Sequence, residues 1–163
     1  MTMRWRRPLP LSLGLLLLLA VLILAGPRVQ VDTQTAAPEI PTELQALDPW
    51  LAERESSIPA LRPATRKAIL WANPEQPART PISLAYLHGF SASRLELSPL
   101  VEQVAEALGA NLFFTRLKGH GRDGAAMGEA EAGDWIADTR EALAIARQRG
   151  NRVILNGNST GAT

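Results

Sequence analysis

The chain has 163 residues, enough for one ordinary domain and too few for two. Lys and Arg number 17 against 16 Asp and Glu, and a net charge of +1 argues against a nucleic-acid binder, which normally carries a strong basic excess. There is no cysteine, which excludes disulfides, thiol catalysis, Cys-ligated zinc and a lipoprotein-type Cys anchor.

The charge is unevenly spread. Residues 1–27 carry three Arg and no acid, while residues 28–163 carry 14 bases and 16 acids. Arg4, Arg6 and Arg7 precede twenty uncharged residues, Pro8 to Pro27, which contain the run LSLGLLLLLAVLILA. As a helix, twenty residues at about 1.5 Å each would extend roughly 30 Å, the thickness of a bilayer's hydrocarbon core. The pattern predicts a cytoplasmic basic tail over 1–7 and a transmembrane signal anchor over 8–27, which would contact the lipid bilayer. The Arg cluster would stay in the cytoplasm and send the body to the periplasmic or extracytoplasmic side. The alternative, secretion after signal-peptide cleavage, needs a small-x-small site. Ile23-Leu24-Ala25 and Leu24-Ala25-Gly26 each put a bulky residue where a small one is wanted. Residues 28–42 are polar and Pro-bearing, without period, and read as a linker. The folded body is then 43–163.

Within it, Asp48 followed by Pro49 predicts a short helix over about 49–55. KAILWA (67–72) and ISLAYL (82–87) read as strands. Ser98-Pro99 is a cap-and-proline start, and Leu97, Val101, Val104, Ala105 and Leu108 follow at helical spacing, with Gly109 just past the end. NLFFTRL (111–117) reads as a strand leading into a Gly/Ala/Glu-rich loop. Asp134 is placed to cap a helix running to about Arg149, with Ile136, Leu143 and Ala146 on one face. RVILN (152–156) is a short apolar strand of the type covered on both faces. Strand, helix, strand, helix, strand is the order of a parallel α/β sheet.

This last strand runs into Gly157-Asn158-Ser159-Thr160-Gly161, a G-x-S-x-G sequence. In a nucleophile elbow the Ser occupies a strained turn between strand and helix, and close packing there leaves no room for a Cβ on the flanking glycines. His88-Gly89-Phe90 follows the 82–87 strand, where such enzymes place one backbone N–H of an oxyanion hole, the other coming from the residue after the nucleophile, here Thr160. His88 reads as a turn histidine bonded to nearby backbone, and His120 as a structural loop residue before a catalytic base. Gly119-His120-Gly121-Arg122-Asp123-Gly124 matches the dinucleotide fingerprint formally. No amphipathic helix opens inside it, however, and the acids some twenty positions later lie in a helix, so nucleotide binding is set aside.

LHGFSAS, RLKGHGRDG, DWIADTREAL and VILNGNSTGA, in that order, resemble blocks of the α/β-hydrolase superfamily. Within it they are most similar to the branch of monoacylglycerol lipases, carboxylesterases and serine aminopeptidases. The resemblance covers about residues 67–163. It implies Ser159 as nucleophile, the Phe90 and Thr160 amides as oxyanion hole, and Gly89, Gly157 and Gly161 as motif glycines. The implied activity is hydrolysis of small-molecule carboxylic esters, with no cofactor and no metal. The family's chain order is nucleophile, acid, histidine. The sequence stops four residues after Ser159, so the acid and catalytic His are expected outside it and the chain reads as the first half of an enzyme. The competing expectation is a non-catalytic, membrane-anchored remnant of the same fold.

Overall fold

The Leu-rich run forms helix α1 (Leu9–Ala25). The computed structural model describes residues 9–26, 31–32 and 38–163, and the chain divides into two units, Met1–Gln30 and Val31–Thr163. Helix α1 has 17 residues, a length of about 25 Å at 1.5 Å per residue. Among the described residues no helix is long and apolar enough to cross a membrane. That finding corrects the anchor expected over 8–27. The single-pass placement, with its bilayer contact and its extracytoplasmic body, is overturned. The basic tail over 1–7 lies outside the described residues, as do 27–30 and 33–37 of the anchor end and linker.

In the second unit a 3-10 turn (Leu44–Ala46) leads into α2 (Leu47–Ser56), whose Leu47, Leu51 and Glu55 fall one helical turn apart and are buried. Asp48 lies inside the first turn and does not cap it; its carboxylate instead accepts from Trp71 Nε1 at 2.7 Å. Then come β1 (Ala68–Leu70), β2 (Thr80–Leu87), α3 (Leu100–Ala107) and β3 (Asn111–Phe114). The last elements are α4 (Gly124–Gly128), α5 (Ala132–Arg149) and β4 (Gly150–Gly157). Two of these depart from expectation. The loop after β3 contains a helical turn, α4, because Asp123 accepts from the Ala126 N–H at 3.0 Å. Helix α5 is capped by Glu131, with Asp134 as its reciprocal partner in a capping box, and the buried stripe is Ala142, Ile145, Ala146 and Arg149. Ile136 and Leu143 are only partly buried.

The four strands form one sheet in the order β1-β3-β2-β4. β2 runs parallel to both β3 and β4, but β1 is antiparallel to β3, so the sheet is mixed, not parallel throughout. On one face Leu84, Tyr86, Leu112 and Phe114 pack with Val101 and Ala105 of α3. On the other, Ala85 and Phe113 pack with Leu51 of α2 and Ala142, Ile145 and Ala146 of α5. This period-two alternation of the central strands makes a helix–sheet–helix sandwich.

Polar groups are buried as partners. Glu55 accepts from Arg116 Nε at 3.1 Å and Nη2 at 2.9 Å, and from the Lys67 N–H at 2.9 Å. Lys67 Nζ lies 3.0 Å from Asp138 and 2.6 Å from Glu141. This network ties α2, β1 and α5 to the segment after β3. Arg149 is an exception, as is the Thr115 hydroxyl, which has no partner among the described residues. The Arg149 guanidinium lies over the Trp71 and Phe113 rings, with Nη1 and Nη2 unpartnered, and burial pushes its pKa down to about 9.

β4 is an edge strand, and its faces are covered less than expected: Val153 packs against the α5-side cluster, but Ile154 and Leu155, which point to opposite sides, are 42% and 47% exposed. An apolar strand with free N–H and C=O groups is a template for pairing with another chain. The protein is therefore expected to self-associate through β4. Leu155→Lys should shift it toward monomer in sedimentation velocity, and an unchanged distribution would assign the association to another surface.

Candidate active site

Strand β4 delivers the G-x-S-x-G segment to the end of β2. The Asn158 N–H donates to Leu87 O at 3.0 Å, and Ser159 then adopts φ +49°, the left-handed region that non-glycine residues rarely occupy. The chain turns directly into a 3-10 segment, Ser159–Ala162. A Cβ on Gly161 would run into the carbonyl oxygens of Leu87 and His88, and one on Gly157 into that of Gly161. Both positions therefore need glycine. Ser159 is exposed and Thr160 partly so.

The turn after β2 lies against this elbow. A Cβ on Gly89 would stand 3.3 Å from Ser159 Cβ. Phe90 follows, its ring 59% exposed and meeting His120 and Trp135 edge-on at 6.1 and 6.2 Å. The backbone N–H groups of Phe90 and Thr160 donate to no acceptor among the described residues. A cleft of about 370 Å³ opens beside Phe90, lined also by Ser91, His120, Arg62, Arg122 and Met127. Another cleft, of about 500 Å³, is lined by Arg54, Glu55, Lys67, Asp138 and Glu141, whose charges are already paired.

Both histidines are buried and engaged by backbone. His88 Nε2 accepts from the Leu117 N–H at 3.2 Å, and its Nδ1 lies 2.9 Å from Gly89 O. His120 Nε2 accepts from the Ser91 N–H at 3.0 Å, with Nδ1 3.2 Å from Lys118 O. A ring whose Nε2 accepts must carry its proton on Nδ1, so both rings are the neutral Nδ1–H form. Neither has an acceptor nitrogen left for a serine proton. Together the rings, 4.7 Å apart, join the Gly89 turn to the loop after β3.

Glu96 carries no motif, and the sequence reading passes over it. Its Oε2 accepts from Tyr86 Oη and from the Gly89 N–H, each at 2.9 Å. Burial is the largest single influence and raises its pKa, but the lowering influences, led by the Gly89 N–H and Tyr86, together outweigh it and hold the carboxyl below its usual range. No spacing rule could have flagged it, because its partners come from a strand and from the turn that follows it. Among the described residues no cluster of His, Cys, Asp and Glu is suited to hold a metal ion.

These groups set an acid limit. Burial keeps His88 below its ordinary 6.5, so at falling pH the unfolded chain takes up a proton before the folded one does. Its contribution is complete above pH 6.5 and is lost as pH falls through the lowered folded value. Glu96, and Glu55 beside Arg116, are held below their ordinary 4.5, so a second loss follows as pH drops through their folded values. Urea midpoints should therefore decline in two stages on acidification, and His88→Gln should remove the first. An unchanged midpoint between pH 7 and 5 would contradict the assignment.

No family model matches the chain. Over 83 residues it is 32% identical to a thermostable monoacylglycerol lipase of Bacillus sp. (strain H-257), a match covering 51% of this chain and 33% of that one. A solved structure from a study of LipS and LipT, two metagenome-derived lipolytic enzymes, superposes with a TM-score of 0.53 at 28% identity, covering 62% of this chain and 38% of that one. The chain thus spans about a third of the length of the curated relative it matches. Over that part it is related to the α/β-hydrolase superfamily, and the relationship is to lipase- and esterase-like hydrolases.

Proposed function

We propose that the protein is a serine hydrolase of carboxylic esters, with Ser159 as nucleophile and the Phe90 and Thr160 amides as oxyanion hole. One observation carries this reading: Ser159 stands exposed in a left-handed turn at the end of β4, directly against the Gly89 turn, with both amides undonated. Ser159 Oγ attacks the ester carbonyl carbon while its proton passes to a general base. The carbonyl oxygen becomes an oxyanion held by the two N–H groups, fixed dipoles that need no reorganisation as charge develops. Collapse breaks the C–O bond and releases the alcohol once it is protonated. Water then hydrolyses the acyl-serine by the same route. The base and its acid partner are assigned to no residue of this chain.

The test is an ester assay on two forms, each with and without Ser159→Ala. One is the 163-residue chain. The other is extended past Thr163 by the acid- and histidine-bearing part of a lipolytic relative. Ser159-dependent hydrolysis of p-nitrophenyl butyrate by the extended form supports the reading; turnover unaffected by Ser159→Ala overturns it. The engagement of both histidine rings favours a second reading, a non-catalytic α/β-hydrolase fragment, if the extended form is folded and inert.

A further inference from the structure

Both peptide groups that flank Phe90 are held by an imidazole. His88 Nδ1–H donates to Gly89 O at 2.9 Å, and His120 Nε2 accepts from the Ser91 N–H at 3.0 Å. We propose that the two histidines are positioning residues that together fix the direction of the Phe90 N–H; the proposal rests on the ester-hydrolase reading above.

Gly89 C=O and Phe90 N–H belong to one planar peptide unit, and Phe90 C=O and Ser91 N–H to the next. A bond to Gly89 O therefore sets the plane from which the Phe90 N–H projects. A bond to the Ser91 N–H sets the following plane, and the two together restrain both backbone dihedrals of Phe90. The turn needs such restraint, because Ser91 has φ +58°, in the left-handed region that non-glycine residues rarely occupy. Gly89 O also accepts from the Ala92 N–H at 3.2 Å, which closes the turn on itself. The imidazoles tie it to the rest of the fold. His88 Nε2 accepts from the Leu117 N–H and His120 Nδ1–H donates to Lys118 O, each at 3.2 Å, so the two rings hang on consecutive residues of the segment after β3. Helix α5 holds that segment in turn: Trp135 Nε1 donates to Lys118 O at 3.1 Å, and Asp138 accepts from the Lys118 N–H at 2.7 Å. Both rings are buried, so water does not compete for their bonds. The His88 bond has a second effect, because a donor on the carbonyl of a peptide unit polarises the N–H of the same unit. Oxyanion stabilisation depends on donors lying within hydrogen-bond reach of where the charge develops, and a misplacement of about 1 Å can cost roughly a hundredfold in rate. The turn is thus gripped through Nδ1 at one histidine and through Nε2 at the other.

That asymmetry is the test. The side-chain amide of Asn reaches about as far as Nδ1 and that of Gln about as far as Nε2, and either can donate or accept. In the extended form His88→Gln and His120→Asn, which give up the bond to the turn, are expected to lower kcat about ten- to a hundredfold with KM little changed. His88→Asn and His120→Gln keep that bond and give up the one to Leu117 or Lys118, so each should retain the larger part of the turnover. Every variant loses one of two backbone bonds, so urea midpoints should not follow the same order. Equal kcat for the two variants at each position, the reverse order, or an order that follows the midpoints overturns the proposal. In the 163-residue chain, long-range 15N–1H spectra of the imidazoles should show a protonated Nδ1 and a bare Nε2 on both rings at neutral pH. A neutral ring with its proton on Nε2 overturns the proposal independently of any variant. Turnover that persists in Ser159→Ala also removes it, but through failure of the hydrolase reading, and that outcome is read from Ser159 alone.

Discussion

Ser159→Ala is expected to abolish ester hydrolysis by the extended form, with kcat falling about a millionfold, the size of loss seen when a serine enzyme loses its nucleophile. The magnitude follows from what the hydroxyl does. Without it no acyl-enzyme forms, and the Phe90 and Thr160 amides can only polarise a carbonyl awaiting water. An oxyanion hole alone retains roughly 10³–10⁴-fold over the uncatalysed rate in intact enzymes. The 163-residue chain itself is expected to show nothing beyond background, since a serine hydroxyl is a weak nucleophile without an adjacent base and both histidines have given their acceptor nitrogens to backbone N–H groups. Serine-dependent turnover by that shorter chain would mean that His120 releases Ser91 and acts as base, or that a partner supplies one.

Arg116→Met is expected to destabilise the fold by about 3–5 kcal/mol, because it leaves Glu55 as an uncompensated buried charge. Both side chains of the pair are less than a tenth exposed, and Glu55 takes two of its hydrogen bonds from this one guanidinium. Removing both partners should cost less than either single change suggests. Glu55→Met with Arg116→Met loses the attraction and the desolvation penalty together, leaving chiefly the unpaired Lys67 N–H. Urea unfolding on a Leu155→Lys background, where edge pairing is suppressed, measures all three. Equal losses in the single and double variants would show that the pair's charge is not the source of its contribution.

Legibility from the sequence followed the range of each interaction. β2, β3, β4 and α3 rest on apolar residues at a fixed period and could be read locally, as could Gly109, which has φ +56° just past α3. Residues decided by a competing local partner were misread. Asp48 turns to Trp71, and Asp134 answers Glu131 instead of capping alone. The parallel order rests on the three longer strands, and nothing in the three residues Ala68–Leu70 says that a further strand, β1, joins the sheet antiparallel. The coverage of β4 was misjudged because an apolar run reports what a strand can bury and not what lies over it. α1 was overestimated because the uncharged run was counted as helix past Ala25, where α1 ends. Of the candidate site, Ser159 and the glycines carry a spacing signature. Glu96 and the two ring tautomers depend on contacts across the fold, which no window of sequence contains.

The strand order has a consequence for synthesis. β3 lies between β1 and β2, and it begins 24 positions after β2 ends. At roughly 5–20 residues per second on the ribosome, β2 is therefore complete about 1–5 s before its first sheet partner begins to be made. During that interval the segment Ser83–Leu87, wholly buried in the finished fold, has no sheet to join. β4 can then be added at the free edge without parting strands already paired. The demand for chaperone protection in the cell is thus expected to fall on the middle of the nascent chain, ahead of β3.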